Sequence, residues 1–227
     1  MIDQQPRQTT TTPRFEPEHA KHLVLKSRTE QLIRFCRYYN HPNENNESMD
    51  QIRTWYNQVS SDLESNVTPA DIRESIQSVC RNKESVLTSL MTISWNDAKN
   101  RLPPLQFIVD QWDIDVNLPT VTRSTPLNNA IQCKLEKEAL FLIDRGASIC
   151  PHMEGKKMPS ALKTFVQCSK RNNYDGGSLI LQRLLQRGSA DLRNEEMDAF
   201  DLAKESENNY CYQAGILSIM KVAYGIE

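Results

Sequence analysis

Apolar residues in the first third of the chain recur at steps of three and four, the spacing of amphipathic helices rather than strands. From Glu18 onward, Leu25, Leu32, Phe35/Cys36 and Tyr39 follow a heptad-like spacing until His41-Pro42-Asn43 stops the helix. After the polar loop Asn43 to Glu47, Ser48 and Gln51 resemble a capping box. Met49, Ile52, Tyr56, Val59 and Leu63 then form one apolar stripe. Thr68-Pro69-Ala70-Asp71 predicts a third helix start, with Thr as cap and Pro in the first turn. Ile72, Ile76, Val79 and Cys80 would be its buried face. Residues 18–83 are therefore expected to be a helical region of about three helices. Residues 1–17, with four consecutive Thr and three Pro, read as a disordered tail.

The second half repeats itself. Thr125-Pro126-Leu127-Asn128-Asn129-Ala130 leads to Leu142-Ile143-Asp144-Arg145-Gly146-Ala147. Leu105 to Val109 followed by Asp113-Ile114-Asp115-Val116-Asn117 looks like the end of a preceding unit. Ser160-Ala161-Leu162 opens another, which closes at Leu184-Leu185-Gln186-Arg187-Gly188. Asp198 to Ala203, with Tyr212 to Val222, resembles a last one. The starts Thr125, Ser160 and Asp198 lie 35 and 38 residues apart, within the range of helical repeats. These residues resemble the ankyrin repeat, whose units begin T-P-L-H-x-A and end in a glycine turn.

The resemblance covers about residues 84–224, defines a repeat domain of about four repeats over 84–227, and implies an all-α fold, a short solenoid of stacked helix pairs behind the N-terminal helices. An insertion near 170–177 interrupts the third repeat and reads as a protruding loop. The family's His is Asn128 here, Lys163 and Asp201 in the next copies, which changes the donors of the inter-repeat hydrogen-bond network. Lys134 stands where the family often has Gly. The resemblance further implies a non-enzymatic scaffold that grips another protein with finger turns and first helices. Carried onto this chain, the contact positions are Thr120, Thr122, Arg123, His152, Glu154 and Lys156 on fingers, with Asn128, Asn129 and Lys163 on the inner helical face. The N-terminal helices would either cap the solenoid or act separately. In the latter case the chain is similar to adaptors or effectors that intracellular bacteria deliver into host cells.

Composition narrows the chemistry. Seven glycines in 227 residues is under half the usual share, which favours helix and leaves none before Gly146 for a phosphate-cradling loop. A net charge of −2 speaks against broad phosphate neutralisation, so no nucleic-acid partner is expected. No apolar run is long enough to span a bilayer, and no secretory signal pattern opens the chain, so a cytoplasmic-type location is expected. The six Cys are dispersed without a CxxC, and His19 and His22 lack further ligands at helical spacing, so no metal or other cofactor is expected. His41-Pro42-Asn43 vaguely resembles a Fic-type transfer loop, but the Phe, Gly and Arg that chemistry needs are missing. Lys156-Lys157 reads as a solvated basic turn. No catalytic residue is assigned, and a monomer is expected.

Overall fold

The computed structural model describes residues 17–38, 49–62, 67–79, 84–92, 101–118, 124–153, 156–172, 178–187, 218–223 and 225. The predicted tail up to residue 16, the middle of the insertion and most of the fourth repeat lie outside the described residues. Helix dominates what is described, as the all-α reading expects. The strands among these residues are β1 (His152–Met153) and β2 (Lys156–Lys157), an antiparallel hairpin pairing His152 with Lys157 and Met153 with Lys156.

The N-terminal helices follow their sequence signals. Helix α1 (Pro17–Tyr38) begins one residue before the predicted start and buries Leu25, Thr29, Leu32, Ile33 and Cys36. Helix α2 (Met49–Asp62) buries Ile52, Trp55 and Val59. Tyr56, expected in the same stripe, is half-buried. Helix α3 (Pro69–Ser78) starts at a complete capping box, because Thr68 Oγ1 accepts from Asp71 N and Asp71 accepts from the Thr68 backbone N–H. The same carboxylate pairs with Lys21 of α1 at 2.8 Å. The Lys21 hydrogen bond, then the Thr68 backbone and side chain, lower the Asp71 pKa from 3.8 to about 2.

Six more helices form three pairs: α4 (Val86–Met91) with α5 (Leu102–Trp112), α6 (Pro126–Gln132) with α7 (Glu136–Asp144), and α8 (Ala161–Asn172) with α9 (Ser178–Arg187). They stack in two rows. In the first, α1 packs on α4, α4 on α6, and α6 on α8. In the second, α2 and α3 pack on α5, α5 on α7, and α7 on α9. A thin helix pair cannot bury its own apolar side, so each pair is covered by the next. One core results, continuous from Leu25 through Leu90, Leu127 and Leu181 to Met220 in the terminal helical stretch 218–223.

Helix α4 is the element that periodicity did not predict. Six residues are too few to show a period, and all six are buried. Its start is nevertheless encoded, since Ser85 and Thr88 form a reciprocal cap. Its end is closed from a distance by Arg101, which is 4% exposed. Arg101 Nη1 donates to Leu90 O at 2.6 Å and to Thr92 O at 2.8 Å, satisfying carbonyls that the helix leaves open. The Arg101 backbone N–H donates to Glu138 Oε1 of α7 at 2.7 Å, and Glu138 is itself buried. Arg101 and Glu138 thereby fix where α5 begins relative to α4 of its own pair and α7 of the next.

The N-terminal helices join the rest through aromatic packing. Trp55 meets Trp112 edge-on at 5.4 Å, and Tyr56 lies 5.8 Å from Phe107 and 5.6 Å from Trp112. Polar contacts frame the cluster: Arg73 Nε donates to Trp112 O at 2.7 Å, and the Trp55 indole N–H donates to Arg28 O at 2.7 Å. On the first row, Arg37 of α1 makes two hydrogen bonds to Glu84 Oε2, which also accepts from Ser89 Oγ. Trp112→Ala is expected to cost about 3–5 kcal/mol in urea unfolding, as for other large core truncations. A cost below about 1 kcal/mol would contradict a core shared between the N-terminal helices and α5.

Asp71 gives a pH-dependent readout of the contact between α1 and α3. Its folded pKa lies below the ordinary value, so its contribution is fully present above about pH 5 and fades as pH falls towards 2. The stability gap between the native chain and Asp71→Asn is therefore expected to be constant near neutrality and to close between about pH 4 and pH 2. Thermal melts across that range check it. A gap that widens on acidification would be the wrong sign.

Candidate partner-binding surface

The turns between helix pairs are built from local caps and long-range side-chain bonds. Thr125 caps α6, its side chain accepting from Asn128 N at 3.1 Å. Asn128 is 1% exposed, and its Nδ2 donates to Pro159 O at 3.0 Å, 31 residues ahead at the threshold of α8. Asn117, in the turn after α5, makes a second long-range reach at the preceding junction. Its Oδ1 accepts from Ser148 N at 2.6 Å, again 31 residues ahead, and its Nδ2 donates to Gly146 O at 3.4 Å. The two asparagines form a ladder with one rung per helix pair. An amide can do this because it donates and accepts from one planar group.

The backbone between rungs needs special conformations. Gly146 takes φ +89 just after α7, a left-handed value that is costly for any side chain with a Cβ. Lys134, in the three-residue turn between α6 and α7, takes φ 57 without being glycine. The backbone at Lys134 thus takes a conformation that glycine adopts more readily than residues with a Cβ. Past Gly146, Ala161 N donates to Ile149 O at 2.7 Å, which ties the base of the β1–β2 hairpin to the start of α8.

The residues expected to contact a partner separate into groups. Thr120, Thr122, Arg123 and Glu154 lie outside the described residues. His152 and Lys156 sit on the two facing strands of the hairpin. Asn129 is half-buried on α6 and accepts from Ser124 Oγ. Lys163 is half-buried in the first turn of α8, where its backbone N–H donates to Ser160 Oγ at 3.1 Å. Asn128, expected on an inner face that meets a partner, is buried, with its Nδ2 committed to Pro159 O.

Sequence reading also missed a unit start. Ser85-Val86-Leu87-Thr88 matches Thr125-Pro126-Leu127-Asn128 and Ser160-Ala161-Leu162-Lys163 in position, and Leu87, Leu127 and Leu162 are all buried. The visible signal was the Ser-x-x-Thr cap followed by Leu at the same offset.

On the second row, a cleft of about 440 Å³ is lined by Asp110, Asp113, Asp115, Asn117 and Arg145. Arg145 fills part of it, pairing with Asp110 at 2.6 Å and lying 5.0 Å over the Phe141 ring. Among the described residues, no three His, Cys, Asp or Glu side chains are grouped to hold a metal ion, and no helix is long and apolar enough to cross a membrane. Compared with known proteins, the chain matches no family model, no curated protein and no solved structure.

The ladder sets an order of mutational effects. Asn117 uses both ends of its amide, whereas Asn128 Oδ1 is buried with no hydrogen-bond partner. Asn128→Ala removes one bond together with an unsatisfied acceptor and is expected to cost about 1 kcal/mol or less. Asn117→Ala is expected to cost more, about 1–2 kcal/mol. Urea denaturation of the two variants checks the ranking, and the opposite order would overturn it.

Proposed function

We propose that the chain is a divergent ankyrin-type scaffold without enzymatic activity, which binds a partner protein through its finger turns and first-row helices. The observation that carries this reading is the 31-residue ladder of Asn117 and Asn128 across stacked helix pairs. Such an arrangement spends its polar side chains on holding a rigid, extended surface. Turns projecting from a rigid frame are where binding residues concentrate. The helices in 18–83 are read as the cap of the stack, because terminal units of a repeat array must cover its open apolar end. Their shared core with α4 and α5 favours that role over the alternative, an effector or adaptor whose N-terminal helices carry a separate host-directed activity.

The test uses the full chain as bait in a cell lysate, followed by mass spectrometry of what it retains. Thr120→Ala, Arg123→Ala, His152→Ala and Lys156→Ala combined should weaken capture of the retained partner by at least about tenfold while the circular dichroism and melting temperature stay unchanged. Undiminished capture by a correctly folded variant would sink the assignment of this face.

A further inference from the structure

We draw no further inference here: the strongest candidate, the outward face of helix α1 where Ala20, Leu23, Val24 and Ser27 stand exposed at helical spacing, carries none because nothing in the structure shows what covers it.

Discussion

Everything in this molecule depends on the inability of a short helix pair to bury its own apolar side. A pair such as α6 and α7 contributes Leu127, Ala130, Ile131, Ala139, Leu142 and Ile143, all fully buried, and those side chains are covered only because α4, α5, α8 and α9 stack on either side. At about 1.5–3 kcal/mol for each fully buried large aliphatic side chain, this packing is the dominant favourable term. It is non-directional, however, and would tolerate pairs sliding past one another. Register comes from the polar rungs. Asn117, in the turn after α5, and Asn128, in the first turn of α6, each bond a backbone group 31 residues ahead, which fixes how neighbouring pairs sit on one another.

The N-terminal helices solve the end of the stack. An open first pair would expose α4, whose six residues are all buried, and the apolar side of α5. Helix α1 extends the first row over α4, while α2 and α3 cover α5 with Trp55 and Tyr56 against Trp112 and Phe107. Arg37–Glu84 ties α1 to the segment leading into α4, while Lys21–Asp71 ties α1 to α3 within the N-terminal helices. Ion pairs at the surface contribute little individually, so the aromatic cluster is the stronger part of the junction.

The surface left over has a consistent chemical character. Side chains near the junctions are used up: Asn128, Arg101 and Glu138 are buried and hydrogen-bonded within the frame. The acids on α5 and its following turn are partly balanced by arginines, Asp110 by Arg145 and Asp113 by Arg73 of α3.

Interactions that close within three or four residues were legible from the sequence alone. The Thr68-Pro69 and Thr125-Pro126 helix starts, the apolar stripes of α1 to α3 and the turn at Gly146 follow from local stereochemistry and spacing. The left-handed turn at Lys134 was marked by the position at which a glycine would be expected. Tertiary structure alone decided which polar residues are surface and which are frame. Asn128 and Asn129 are adjacent and chemically identical, yet one is buried under α8 and the other half-exposed. Arg101 became a helix cap for residues 9 and 11 positions earlier, and α4 became an inner helix although six residues carry no readable period. Sequence determines the elements because their bonds are short-range. Burial depends on what packs from 30 residues away, and only the folded stack fixes that.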